Sequence, residues 1–152
     1  MIRSPSKKNK NNSAAQTIAG LVIAALVLIP IFGFTFYISK NEPKVEIQGE
    51  NVAISSFLSK TIQFSASEIE SVELLENMPA NGMRTNGIGT STILWGNFKF
   101  NDYGKSKVYV YRKHSPYLAI RLKDKPSVFI NSKTPENTRK LYEDLLALQE
   151  QE

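Results

Sequence analysis

RTNGIGTSTILWGNFKF, Arg84 to Phe100, gathers three glycines, several hydroxyl side chains and the chain's one tryptophan into a short stretch. Read as a reactive loop, it makes this an enzyme; read as a turn and a strand, it makes a β-domain. The reactive readings each lack a required group. Gly87-Ile88-Gly89-Thr90-Ser91-Thr92 carries threonine where a dinucleotide fingerprint needs its third glycine, and no strand-to-helix unit follows. Ile88 stands where a phosphate loop needs lysine, and Gly89 to Ile93 lacks the closing glycine of a nucleophile elbow. What remains is a loop, Arg84 to Gly89, whose glycines permit positive φ or close backbone approach. It leads into a strand from Ile93 to Phe100.

Outward from that strand the period stays at two. Val45 and Ile47 alternate with polar neighbours, and Val52 and Ile54 follow after Gly49-Glu50-Asn51, which predicts a hairpin. Further runs are Thr61–Ser65, Ile69–Leu75, Lys107–Lys113, Tyr117–Lys123 and Ser127–Ile130. Leu118, Ile120 and Leu122 fall on one face of their run, with Arg121 and Lys123 on the other, as in a sheet with one face on a core and one in water. Asn101-Asp102-Tyr103-Gly104, His114-Ser115-Pro116 and Asp124-Lys125-Pro126 are turn chemistry. The expectation is a mainly β fold, an antiparallel meander of about seven strands forming a barrel or sandwich.

The period then changes. Thr134-Pro135-Glu136 offers a capping hydroxyl, a proline at the first helical position and an acid in the first turn. Thr138, Leu141, Tyr142, Leu145 and Leu148 recur at helical spacing, predicting one C-terminal helix that covers an apolar end of the β structure.

At the other end, no charged residue occurs from Asn11 to Ser39. The central run IAGLVIAALVLIPIFGFTFYI, Ile18 to Ile38, spans about 30 Å as a helix, the thickness of a bilayer's hydrocarbon. A cleaved signal peptide fits less well, because the run is long and no small-residue cleavage site follows it before Lys40-Asn41-Glu42-Pro43. Three segments follow: a polar tail over 1–13, a transmembrane helix over 14–39 and a domain over 43–152. Arg3, Lys7, Lys8 and Lys10 make the tail basic, whereas Lys40 and Lys44 are offset by Glu42 and Glu46. That asymmetry predicts a single pass through the plasma membrane, with the N-terminus cytoplasmic and the domain extracytoplasmic. Gly20 and Ala24 have the small-xxx-small spacing of self-associating helices.

The net charge of +5 resides mostly in the tail, which holds four of the 19 Lys and Arg; the remaining 15 stand against 14 Asp and Glu. A balance of +1 over the rest argues against nucleic acid as a partner. Cys is absent and His114 is alone, so neither a disulfide framework nor a zinc site is expected, and no cofactor. Glu68, Glu70, Glu73 and Glu76 lack the order of a Ca²⁺ loop and read as a solvated strand face. No catalytic residue is expected.

Four runs together resemble the small membrane-anchored bacterial PH-domain (pleckstrin-homology-like) proteins of Gram-positive bacteria. They are Ser67 to Pro79, Arg84 to Phe98, Gly104 to Val110 and Ile130 to Thr138. The resemblance implies a PH-like fold beside a membrane, acting as a binding or assembly module rather than an enzyme. It brings no assigned activity. The position of the usual phosphoinositide-binding loop, Gly49-Glu50-Asn51, lies in acidic surroundings, so recognition of that kind is not expected.

Two candidate surfaces remain. One is the loop Arg84, Thr85, Asn86, Gly87 and Gly89, with Trp95 nearby, suited to a protein partner or to a small ligand or lipid sensed through the membrane helix. The other is a basic, aromatic face on which Lys105, Lys107, Tyr109, Tyr111 and Lys113 share strand parity. It suits an anionic polymer or lipid, or the Glu-rich half of a second copy in self-association.

Overall fold

A computed structural model describes residues 8–40, 42–57 and 59–150. Arg3 and Lys7 of the basic tail, and Asn41 after the apolar helix, lie outside them. The chain divides into two units, Met1–Asn41 and Glu42–Glu152.

The first unit is a single helix, α1, Lys8–Lys40, with Pro30 inside it. It starts earlier than the predicted span, so residues 8–13 are helical as well. Its segment Ala14–Phe34 is 21 residues long, has a mean hydropathy of 2.5 and has no part buried within the structure. Ile18, Leu21, Leu26, Ile29 and Phe32 are all exposed, an arrangement water would penalise and lipid would not. The helix is long and apolar enough to cross a membrane.

The second unit holds nine strands and one helix: β1 Lys44–Gln48, β2 Asn51–Ser56, β3 Ser59–Ser65, β4 Ile69–Leu75, β5 Met83–Gly89, β6 Ile93–Phe100, β7 Gly104–Tyr111, β8 Tyr117–Leu122, β9 Ser127–Ile130 and α2 Pro135–Gln149. A 3-10 turn, Ala66–Glu68, joins β3 to β4. The strands form a three-stranded sheet, β1-β2-β3, and a six-stranded one, β4-β8-β9-β7-β6-β5. Two β sheets with a C-terminal helix agree with the expected class. Two details differ. The stretch from Arg84 to Gly89, read as a loop, lies in strand β5, antiparallel to β6. The meander is also broken: β4 and β5 lie at opposite edges of the sheet, and β9 inserts between β8 and β7 and runs parallel to β7.

The six-stranded sheet is buried on both faces at its centre. Val108 through Tyr111, Tyr117 through Ile120 and Ser127 through Ile130 are continuously buried, not alternating. One face carries Phe98, Phe100, Val108, Val110, Tyr117, Ala119 and Phe129, joined by Leu75, Met78, Leu94 and Tyr103. The opposite face carries Trp95, Tyr109, Leu118, Ile120 and Ile130, all at 3% exposure or less. This second face meets the three-stranded sheet. Tyr109 Oη donates to the Lys60 carbonyl of β3 at 3.3 Å, and α2 packs on β4 and β8. Moving each large apolar side chain out of water contributes about 1.5–3 kcal/mol, so the two-sided burial supplies most of the driving force for folding.

Helix α2 begins where expected, with Pro135 in its first turn and Thr138 and Leu145 buried. Thr134 occupies the cap position, but its hydroxyl makes no capping bond. Thr138 serves a different role: its Oγ1 accepts the Ser132 backbone N–H at 3.0 Å, fastening the helix start to the end of β9.

Candidate functional site

The β5–β6 hairpin is built around two glycines. Gly87 pairs with Gly96, and both have positive φ, 122° and 135°. A Cβ on Gly87 would strike the Trp95 carbonyl, and one on Gly96 would strike the Asn86 carbonyl. The glycines therefore permit close backbone approach within a hairpin. At the tip Thr90 Oγ1 accepts the backbone N–H groups of Thr92 and Ile93 at 3.2 and 3.1 Å.

On this hairpin Arg84, Thr85, Asn86, Gly87 and Gly89 are all exposed. The register slips between Arg84 and Asn86, and the bulged Thr85 donates its hydroxyl to the Asn97 carbonyl at 3.1 Å. Strand β5 lies at the sheet edge, so one side of its backbone is not used in the sheet. Trp95 is separated from these groups. It is fully buried, edge-on to Tyr111 with ring centroids 5.8 Å apart, and among the described residues its Nε1–H has no hydrogen-bond partner. Arg84, Asn86 and Trp95 thus line no common cavity among those described.

The basic, aromatic face divides along its length. Lys105 and Lys113 are exposed, Lys107 is half-buried, and Tyr109 and Tyr111 are buried. Parity aligns Lys105, Lys107, Tyr109 and Tyr111 on β7, whereas Lys113 lies past its end in a turn with φ 66°; because both tyrosines are buried, an exposed face of both kinds does not form. Lys107 Nζ donates to the Lys60 carbonyl at 3.1 Å; burial, and then the Lys60 charge, hold its ammonium below the usual lysine range. Burial pushes the Tyr111 phenol well above its usual range, with Glu42 adding to the effect, and among the described residues its hydroxyl has no hydrogen-bond partner.

Some of the charges separated along the chain pair within it. Lys125 pairs with Glu68 at 2.8 Å, Arg121 with Glu73 at 3.4 Å and Lys133 with Glu42 at 3.7 Å. Lys123 Nζ and Lys125 Nζ also donate to the Ser67 and Gln63 carbonyls. The expected solvated row of glutamates is accordingly divided: Glu70 and Glu76 face water, whereas Glu68 and Glu73 are engaged. Glu73 also accepts the Tyr103 hydroxyl at 3.1 Å, and the Arg121 guanidinium stacks 3.9 Å above the Tyr103 ring. Burial, followed by the bond to Glu73, raises the Tyr103 phenol above its usual range.

His114 is exposed, as its turn implied, and its Nδ1 lies 3.0 Å from the Lys133 carbonyl. The buried residue organising that corner is Asn131. Its Oδ1 accepts the Tyr111 N–H at 2.7 Å, and its Nδ2 donates to the carbonyls of Tyr111 and His114. Nothing in the sequence distinguishes it from a turn asparagine.

Among the described residues, two clefts stand out. One, of about 220 Å³, is lined by Glu46, Gln48, Asn51, Val52, Ala53 and Gln63. The other, of about 270 Å³, lies over Phe98, Phe100 and Val110, under the β4–β5 connection, with Arg112 among its lining residues. Neither includes a residue proposed from sequence, and among the described residues no group of acids and histidine is placed to hold a metal.

The family described as Bacterial PH domain matches residues 43–149, nearly the whole second unit. The chain belongs to that family. No curated protein and no solved structure matches it. In this bacterial PH domain, Arg84 to Phe98, on which the resemblance partly rested, is the β5–β6 hairpin with its crossing glycines. The fold and the membrane-length helix are therefore established together, and an interaction role follows at the level of the family.

Proposed function

We propose that this protein is a non-catalytic binding or assembly module, anchored by α1 and carrying its bacterial PH domain at the outer face of the plasma membrane. The observation that carries the reading is the joining of a PH-family domain to an apolar segment of 21 residues in one chain. The basic residues of the tail favour a cytoplasmic N-terminus. The exposed edge of β5, with Arg84 and Asn86 projecting beside unused backbone groups, is the surface best suited to a protein partner, since an added strand would gain main-chain hydrogen bonds there. Lys105 and Lys113 are also exposed, at opposite ends of β7.

Two measurements test this. An export-dependent phosphatase fused after Glu152 is expected to be active; activity of a cytoplasm-dependent reporter there instead overturns the orientation. A photo-crosslinking residue at Asn86 is expected to trap a discrete protein in intact cells, while one at the exposed Glu143 on α2 traps none. Equal yields at both positions would remove β5 as the contact.

The alternative reading, a small-ligand or lipid sensor signalling through the helix, is favoured by one observation, the apolar cleft beside Arg112.

A further inference from the structure

The cleft beneath the β4–β5 connection is lined mostly by apolar residues. Its floor is Phe98 and Phe100 of β6 and Val110 of β7, and its roof includes Met78 and Pro79. The connection lies so close that a Cβ on Gly82 would enter the Phe100 ring. Arg112, just past the end of β7, is the one charged residue of the lining. Its side chain is exposed, and among the described residues its guanidinium has no carboxylate or hydrogen-bond partner; only its backbone N–H is engaged, with the Thr92 carbonyl.

We infer that this cleft binds a single-chain amphiphile with an anionic head group, its apolar tail over Phe98, Phe100 and Val110 and its head on Arg112. Three observations select that occupant. First, β6 and β7 are interior strands, each bonded to a neighbour on both sides, so their backbones have nothing to offer a peptide main chain. A peptide in the cleft would leave its own polar groups unpaired, at a cost of about 1–3 kcal/mol each. An acyl chain has no such groups. Second, the volume of about 270 Å³ lies just below the usual range for small-molecule sites and suits one chain rather than the paired chains of a phospholipid. Third, the unpaired guanidinium offers a planar fork of donors that matches a carboxylate or phosphate, charge complementarity that an uncharged or cationic amphiphile lacks. A helix able to cross a membrane, in the same chain, keeps such molecules in supply.

The inference rests on reading the chain as a membrane-anchored binding module, yet it fails separately from it: loss of this ligand leaves the Asn86 crosslink and the topology untouched. The chain's three methionines provide the readout. Met78 roofs the cleft, while Met83 on β5 is 62% exposed and does not line it. Full-length protein with methyl-labelled methionines, in phosphatidylcholine nanodiscs, is titrated with decanoate, decanol and decyltrimethylammonium. Decanoate is expected to move the Met78 methyl resonance saturably and to leave Met83 in place. Arg112→Gln, a change at an exposed side chain, is expected to weaken decanoate about tenfold, toward the affinity of decanol, as loss of one charge-assisted contact implies. The cationic probe is expected to bind more weakly than decanol. The inference is overturned if Met78 shows no saturable shift, if Met83 moves in parallel, if Arg112→Gln binds decanoate as the parent does, or if the cationic probe matches decanoate.

Discussion

Gly96 shows how much of this domain rests on single backbone positions. It has a φ of 135° and faces Gly87 across the hairpin with no space for a side chain on either. Gly49 also has positive φ, 58°, but is surrounded by open space. Gly96→Ala is therefore expected to cost at least about 2 kcal/mol, from backbone strain with steric overlap added. Gly49→Ala is expected to cost about 1 kcal/mol, from the left-handed conformation alone. Urea unfolding followed by fluorescence of the fully buried Trp95 measures both, and equal losses would show that the close crossing is unimportant. That these glycines serve backbone geometry was legible in the sequence, because the groups needed for phosphate or nucleophile chemistry were missing around them. That two of them face each other was not, since cross-strand partners are set by register.

At the scale of elements, the start of α2 separates appearance from role. Thr134 has the sequence position of a capping hydroxyl and makes no such bond, while Thr138, one turn later, is 1% exposed and accepts the Ser132 N–H. Thr134→Ala is expected to change stability by a few tenths of a kcal/mol, and Thr138→Val by about 1–2 kcal/mol, because the valine leaves the Ser132 N–H unpaired. Thermal or urea denaturation compares them, and the reverse order would restore Thr134 as the cap. Strand β5 shows a related limit. Its Gly-rich, polar sequence has no alternation to read, and it is a strand because β6 pairs with it. The runs with clear alternation, β1–β2 and β6 above all, were correctly read without the structure.

Across the whole domain, charges separated along the chain meet in space. Glu68 in the 3-10 turn accepts from Lys125 in the β8–β9 connection, and also from the Ser65 N–H. The Lys125 bond, followed by the Ser65 bond, lowers the Glu68 carboxyl below its usual value of 4.5. A carboxyl depressed in the folded state adds stability above its unfolded pKa and loses it as pH falls through the folded one. Wild-type protein is therefore expected to be more stable than Glu68→Gln at neutral pH, with the gap closing below pH 4.5. Melting temperatures of the two proteins across that range provide the check; a gap that persists undiminished in strong acid would rule the linkage out. As an exposed pair, its effect is small and depends on salt.

Composition and period, taken alone, determined that the chain has an apolar helix of membrane length, a β-domain closed by one amphipathic helix, and no recognisable catalytic motif. These are local properties: helix length, alternation and turn chemistry are written in residues near one another in the chain. Only the tertiary structure decided that the six-stranded sheet is covered on both faces, that Tyr109, Tyr111 and Trp95 are interior, and that Arg112 stands over an apolar cleft. Strand parity states which side chains share a face, but whether another layer covers that face depends on contacts between residues far apart in sequence.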